Sequence, residues 1–317
     1  MNEFALIQHY FKQAAVVTCN DSICEPCEPV VLGIGDDAAI VQPPAGQQLV
    51  ITSDTLVAGR HFPVDTPAHA IGWKAAAVNL SDIAAMGARP YAVLLAISLP
   101  DVNPDWLAQF SRGFFDCCAP EKVQLIGGDT TKSSLLSITV TALGWVEQAK
   151  AIRRDGAQVD DLIVVSNTLG DAAYALKQPK SDLQHRLDYP QPQNRLGMAL
   201  NGYATSMLDV SDGLAQDLGH ILTASGVGAN LHLENLPLSA TVQQLPQPQA
   251  WQLALNGGDD YALCFTIAAK RFEQFCQQYA RQFELQVIGQ ITAGTGLSLL
   301  HHQQPYTMNL QGYQHFD

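Results

Sequence analysis

Six short aspartate motifs recur along the chain, each set against glycine, serine or threonine. They are Gly33-Ile34-Gly35-Asp36-Asp37, Thr52-Ser53-Asp54-Thr55, Asn79-Leu80-Ser81-Asp82, Gly127-Gly128-Asp129-Thr130, Leu208-Asp209-Val210-Ser211-Asp212-Gly213 and Gly257-Gly258-Asp259-Asp260-Tyr261. The chain holds 22 Asp against 8 Glu, an odd ratio, because Glu is the better helix former. Short carboxylates on glycine turns suit a hard cation. Mg²⁺ takes oxygen ligands in octahedral geometry, keeps waters, and is commonly held by one or two carboxylates plus substrate phosphates. Carboxylates gathered in one place repel one another unless cations lie between them. The motifs therefore point to a nucleotide site with several Mg²⁺ ions.

Each motif also has a plain alternative. Asp82 falls on the helical face of Ile71, Ala75, Val78, Ala85 and Met86, where an unpaired carboxylate costs several kcal/mol. It reads as a metal ligand or as the cap of a local helix break after Asn79-Leu80-Ser81. Asp209 and Asp212 stand between a strand and a helix, where free amides can meet a phosphate; the alternative is an N-cap by Ser211 or Asp212. Arg153 and Arg154 are clustered cations on a loop, either solvated or a phosphate clamp. Gly33-x-Gly35-x-x-Ala38 imitates a dinucleotide fingerprint, but Pro43-Pro44 leaves no room for the helix that fingerprint needs. No P-loop or EF-hand spacing is present.

The elements that would position these groups alternate between strands and helices. An amphipathic helix opens the chain on Phe4, Leu6, Ile7, Tyr10 and Phe11. Strands are expected at Val30–Ile34, Ala38–Val41 and Leu49–Ser53, then a helix from Thr66-Pro67 to about Met86, stopped by Gly87. Strand Tyr91–Leu99, a helix from Asn103-Pro104 through Cys118, and strands Val123–Ile126 and Leu135–Val146 follow. The polar stretch Glu147–Asp161 is the expected boundary, dividing the chain into domains 1–148 and 149–317. Beyond it come strand Leu162–Ser166, a helix from Asp171, a helix to Tyr203, strand Met207–Val210, helix Leu214–Ser225 and strand Ala229–Leu233. Strand Ala262–Ile267, a helix from Ala269 to about Gln282 and strand Leu285–Ile291 complete the series.

At 317 residues, with 47% hydrophobic and 15% charged residues, the composition is that of a globular enzyme. A formal charge of −13 argues against nucleic acid or an anionic membrane as partner. No apolar run approaches the ~18 residues of a membrane span, and the start lacks a basic signal region, so a cytoplasmic protein is expected. Seven cysteines, an odd number, fit reduced thiols. Cys19, Cys24 and Cys27 overlap an iron–sulfur spacing, but no fourth ligand is evident locally, which favours a polar loop with free thiols. Cys117, Cys118 and Cys264 lie in apolar runs and are expected to be buried.

Ser53-Asp54-Thr55-Leu56-Val57-x-Gly59-x-His61-Phe62, Ala77–Ala88 and Gly257-Gly258-Asp259-Asp260-Tyr261 resemble the thiamine-monophosphate kinase family. Gly33–Ala38, Gly127–Thr130 and Asp209–Leu214 match it in the same order, and the resemblance runs from Phe4 to Phe316. The glycine–aspartate motifs are shared with the wider aminoimidazole-ribonucleotide-synthetase-like superfamily. The resemblance implies a two-domain α/β (α+β) fold whose N-terminal domain forms a β-barrel across a homodimer. That domain would bind ATP and Mg²⁺, and the C-terminal domain would complete the active site. It implies Mg²⁺ ligation by Asp36, Asp54, Asp82, Asp129 and Asp209, with help from Thr52 and Ser53, and a further ion on Asp212. Gly128, Asp129, Arg153 and Ser211 would contact ATP, and His61, Asp259 and Tyr313 would face thiamine monophosphate. The family pattern is Gly-Gly-Glu-Asp-Tyr, so Asp259 is one methylene shorter than its counterpart.

The implied reaction suits this cast. A phosphate monoester has a second pKa near ~6 and is mostly dianionic at neutral pH, so it needs no general base. Several Mg²⁺ ions would screen its repulsion from the γ-phosphate of ATP. Direct in-line transfer without a phosphoenzyme is expected. The alternatives are an aminoimidazole ribonucleotide synthetase-like or selenophosphate synthetase-like enzyme, or a non-catalytic metal-binding protein.

Overall fold

The structure, a computed structural model, describes residues 3–12, 30–280 and 282–312. Two compact units divide it: Met1–Ile83 with Ala88–Ala149, and Ala84–Gly87 with Lys150–Asp317. Both mix helices and sheets.

In the first unit, α1 (Glu3–Leu6) continues as a π-helical stretch, Ile7–Lys12, burying Tyr10 and Phe11. Strands β1 (Val30–Leu32) and β2 (Ile40–Val41) form a small antiparallel pair. The main sheet uses β3 (Gln47–Val57), β4 (Arg89–Leu99), β5 (Gln124–Lys132) and β6 (Ser137–Glu147) in the order β3-β6-β4-β5. Only β4 and β5 run parallel. Two helices accompany this sheet, α2 (Ala68–Ala85) and α3 (Pro104–Cys118). Helix α2 is buried on nearly every side because it is built largely from alanine and other small or apolar residues. It ends in a Schellman pairing, Ala88 N–H to Ile83 O and Gly87 N–H to Ala84 O, with Gly87 at φ 65°. Asn103 caps α3 by accepting the Asp105 and Trp106 amides, with Pro104 in the first turn. Where α2 and α3 cross, a Cβ on Gly72 would lie 2.0 Å from Phe110 O, and one on Gly113 would lie 1.9 Å from His69 O. The two backbones touch, which only glycine permits.

The second unit is three-layered. Its sheet has the order β13-β12-β9-β11-β7-β10-β8, built from β7 (Leu162–Ser166), β8 (Ser206–Val210), β9 (Gly228–His232), β10 (Ala262–Ile267), β11 (Leu285–Thr292), β12 (Gly296–His301) and β13 (Gln304–Tyr306). Every pairing is antiparallel except β12 with β9. Its helices are α4 (Asp171–Lys177), α5 (Gln184–Asp188), α6 (Asn194–Ala199), α7 (Leu214–Ser225), α8 (Ala240–Gln243), α9 (Gln247–Asn256) and α10 (Ala269–Tyr279). Strand alternation sends Ile163, Val165, Leu208, Val210, Ala262 and Cys264 to the face covered by α7 and α9. Val164, Met207, Leu263, Phe265 and Ile267 face α6 and Phe275 of α10. Central strands covered on both faces read as continuous apolar runs, and β10 is buried at all six positions. Among the described residues no helix is long and apolar enough to cross a membrane.

Three expectations change. Strand β3 extends past Ser53, so Asp54 lies within a strand. Strand β5 runs through Gly127–Thr130, so Asp129 does too. A bulge skips Ile126 in the β4–β5 register, and Gly128, at φ 148°, is pressed so close that a Cβ would meet Leu95 O at 1.8 Å. Helix α2 continues unbroken through Asn79–Asp82, which removes the helix-break alternative for Asp82. These carboxylates are therefore held on regular elements, with only Asp36, Asp212 and Asp259 on loops.

Candidate functional site

The functional residues fall into two sets, one in each unit. In the first unit, Thr52 and Asp54 alternate onto the β3 face that meets α2. The Thr52 hydroxyl donates to Asp82 Oδ2 at 2.5 Å, and the Asp54 amide donates to Asn79 Oδ1 at 2.9 Å. Asn79 is buried and anchors itself by donating Nδ2–H to Ala75 O at 3.1 Å. Two helix side chains thus grip two alternate residues of one strand. The result is an oxygen-only set, Thr52, Asp54 and Asp82, of the kind that holds Mg²⁺ together with waters and phosphates. Ser53 lies on the opposite strand face. Its hydroxyl donates to Val140 O at 3.2 Å and lies 3.0 Å from Thr141 Oγ1.

Asp36 is exposed and accepts the Asp37 amide at 2.8 Å. Asp129 is also exposed, in the register row of Thr55, Thr139 and Ala96. Three inter-strand steps of about 4.8 Å separate β3 from β5, roughly 14 Å in all, so Asp54 and Asp129 do not share one ion directly. Among the described residues, no three His, Cys, Asp or Glu side chains are gathered closely enough to hold a metal by themselves. The turn after β3 is fixed by Gly59 at φ 74° and by His61, whose Nδ1 accepts the Val57 amide at 3.0 Å. That bond puts the ring proton on Nε2.

In the second unit, Asp209 is buried in β8, and the chain turns at Ser211-Asp212-Gly213 into α7. The amides of this turn are not open to a phosphate, and neither Ser211 nor Asp212 caps the helix. Asp217 accepts all three on Oδ2, from Ser211 at 3.0 Å, Asp212 at 3.0 Å and Gly213 at 3.2 Å. Burial is the main cause that pushes Asp217 up to about 7, the three amides oppose the rise, and the Asp212 charge adds to it. The Asp212 carboxylate accepts from Gln216 Nε2 at 3.2 Å.

The Gly257–Tyr261 segment packs directly on this turn. Asp259 N–H donates to Ser211 O at 2.9 Å, Tyr261 N–H donates to Val210 O at 2.8 Å, and the Tyr261 hydroxyl donates to Asp259 Oδ1 at 3.0 Å. A Cβ on Gly258 would lie 2.4 Å from Ser211 O. Asp259 itself sits at φ 66°. Its neighbour Asp260 points inward and accepts the Gly170 amide at 2.7 Å. Burial, reinforced by the Asp171 charge, pushes Asp260 up to about 8. Asp171 accepts from Thr168 Oγ1 at 2.5 Å and pairs with Arg186 Nε at 3.4 Å. One oxygen each of Asp171 and Asp260 is buried without a hydrogen-bond partner.

Arg153 is not brought beside Ser211. Its carbonyl accepts the Met207 amide, at the far end of β8, and its guanidinium pairs with Asp155 at 2.5 Å on the surface. Tyr313 and Cys19, Cys24 and Cys27 lie outside the described residues. Cys117, Cys118 and Cys264 are buried, and burial pushes all three thiols up, Cys118 to about 12. In the sequence Asn79 and Asp260 stood within the motifs without a role of their own, and Asp217 was not singled out. Asp217 carried the same signal as Asp82, a carboxylate on an apolar helix stripe, here with Leu214, Leu218 and Ile221.

Residues 35–146 match the family model described as AIR synthase related protein, N-terminal domain, and residues 158–302 match its C-terminal domain. A thiamine-monophosphate kinase of Haemophilus influenzae is 47% identical over 278 residues, covering 84% of this chain and 82% of that protein. The crystal structure of thiamine-monophosphate kinase from Stenotrophomonas maltophilia superposes with a TM-score of 0.83 at 44% identity, over 94% of this chain and 96% of that one. A structure of AaThiL complexed with AMPPCP and TMP superposes with a TM-score of 0.76 at 31% identity, over 89% and 92%.

Proposed function

The chain belongs to the thiamine-monophosphate kinase family, and on that premise we propose that it transfers the γ-phosphoryl group of ATP to thiamine monophosphate. The products are thiamine diphosphate and ADP. The observation that carries this reading is the Thr52–Asp54–Asp82 set, bound into place by Asn79 and consisting only of oxygen donors. Such a set suits a reaction whose obstacle is anion–anion repulsion rather than a missing base. The acceptor phosphate is already dianionic above about pH 6 and attacks in line, with no covalent enzyme intermediate. Mg²⁺, when bound, supplies charge screening and a template for the attacking and leaving oxygens.

The chain's own groups divide the remaining work. Asp54 and Asp82 hold the metal, Thr52 orients Asp82, and Asp36, Asp129, Asp209 and Asp212 hold further ions. Ser53, its hydroxyl turned to the other strand face, assists from there. Gly128, Asp129, Ser211 and Arg153 contact the nucleotide. His61 presents Nε2–H to the acceptor, while Asp259, steadied by Tyr261, and Tyr313 complete acceptor recognition. Residues 1–148 thus serve as the ATP, Mg²⁺ and dimerisation domain, and 149–317 as the domain completing the active site.

The functional form is a homodimer in which two copies of the β3-β6-β4-β5 sheet close a barrel. Support comes from the edge strand β3, where Leu49 is 41% and Ile51 60% exposed, and from Val31 at 58% and Ile40 at 53% on the preceding β1–β2 pair. The activity is tested by coupled measurement of ADP release with ATP and Mg²⁺. Release should depend on added thiamine monophosphate, and its absence with that acceptor would remove the proposal.

A further inference from the structure

The turn Ser211-Asp212-Gly213 has the form of an anion-binding concavity, three successive amides aimed at one point. Its occupant is the protein's own Asp217 carboxylate, which is 4% exposed. The same turn is gripped from its other side, since Ser211 O accepts the Asp259 amide and Val210 O accepts the Tyr261 amide. The Ser211 residue is therefore fixed at both N–H and C=O, between Asp217 and the Gly257–Tyr261 segment. Gly213, at φ 114° and with its would-be Cβ 2.9 Å from Asn256 C, closes the concavity. The Asp212 carboxylate is left outside, in reach of Gln216.

We propose that Asp217 is a positioning residue for phosphoryl transfer, its carboxylate standing where a phosphate would otherwise sit on the 211–213 amides. The inference rests on the proposed function for its kinetic consequences, but not for its structural one. With the amides taken, this turn meets the nucleotide through the Ser211 hydroxyl and through ions on Asp209 and Asp212. The three amides that lead into α7 are closed to phosphate. Asp217 thereby converts a direct phosphate-binding turn into a metal-holding one.

The test compares Asp217→Ala and Asp217→Asn with the wild type. Removing a buried, charge-assisted set of hydrogen bonds should lower kcat about tenfold or more in Asp217→Ala. Half-saturating Mg²⁺ should rise by a similar factor, while KM for thiamine monophosphate changes less than about twofold, because Asp260 still anchors the Asp259 segment to Gly170. Asp217→Asn keeps an acceptor oxygen of the same shape and should recover most of the loss. Sodium formate should restore Asp217→Ala saturably and leave Asp217→Asn unchanged.

A readout independent of turnover is amide NMR of Ser211, Asp212 and Gly213 during titration with sodium formate or inorganic phosphate. These amides should shift in Asp217→Ala and stay fixed in the wild type. Wild-type shifts, or none in a folded Asp217→Ala, would overturn the proposal whatever the enzyme's substrate proves to be. Should Asp217→Ala not fold, Asp217→Asn decides: a change confined to Mg²⁺ response and kcat supports the inference. Equal loss in every kinetic parameter, or a loss that falls on KM for thiamine monophosphate alone, overturns it. If the amides respond as expected but wild-type ADP release ignores thiamine monophosphate, the fault lies with the proposed substrate and not with Asp217.

Discussion

Replacing Asp260 by asparagine isolates the energetic consequence of burying a carboxyl beside Asp171. Burial, helped by the Asp171 charge, raises Asp260 from 3.8 to about 8, against the opposing Gly170 amide and Arg186 guanidinium. An acid whose folded pKa lies above its unfolded value contributes stability that is intact below the unfolded pKa. That contribution is lost as pH climbs to the folded pKa. The window for Asp260 therefore runs from 3.8 to about 8. Inside it the wild type loses about 1.36 kcal/mol per pH unit at this site. Asparagine has no proton to lose, and its carbonyl can accept the Gly170 amide in place of Oδ2. Between about pH 5 and about pH 7 the variant should gain roughly 2.7 kcal/mol on the wild type. Urea unfolding at steps of pH, followed by hydrogen exchange of the β7–β10 and β10–β8 ladders, confines the measurement to the second unit. A constant offset between the two proteins would refute the reasoning, since Asp260 would then titrate near its ordinary value. A gain that shrinks with rising pH would refute it more strongly, because Arg186 and Gly170 would then be holding the charged form.

Gly128→Ala should cost at least about 3 kcal/mol, since a Cβ there meets Leu95 O at 1.8 Å in a backbone region that side chains avoid; a thermal melt unchanged from wild type would count against the strand assignment. Ile51→Glu, on the exposed β3 face, should yield a monomer by light scattering with unaltered circular dichroism. Asp259→Glu should move KM for thiamine monophosphate more than KM for ATP, and steady-state kinetics showing the reverse would shift Asp259 to the nucleotide.

Much of the scaffold was legible because its punctuation is local. Asn103-Pro104 announces α3, Gly87 ends α2, and β10 appears as an uninterrupted apolar run. Helix α9 was missed because Pro246-Gln247-Pro248-Gln249 looks like a linker, although proline in a first turn is also a helix start. The β12–β13 hairpin was missed too, its strands short and weakly alternating. Turn chemistry misled at Gly127-Gly128, where glycine serves close strand approach rather than a reversal. Of the site residues, Asp54 and Asp82 are joined to a common strand–helix contact. The faces they occupy could not be known before β3 was seen to run three residues past Asp54, to Thr55-Leu56-Val57.

Asn79 and Asp82 of α2 reach Asp54 and Thr52 of β3, so a short span of helix is matched to two alternate strand residues running the opposite way. If β3 slid by a single residue, Ser53 and Thr55 would be offered to α2 in their stead, and Asp54 would turn to the outer face. Neither the Asn79 carbonyl nor the Asp82 carboxylate would then find its present partner. The residues that would carry the metal thus also act as a register lock. A chain that pairs its edge strand wrongly forfeits its ion-binding groups in the same event, so faulty assembly yields an inert product rather than a poorly selective one.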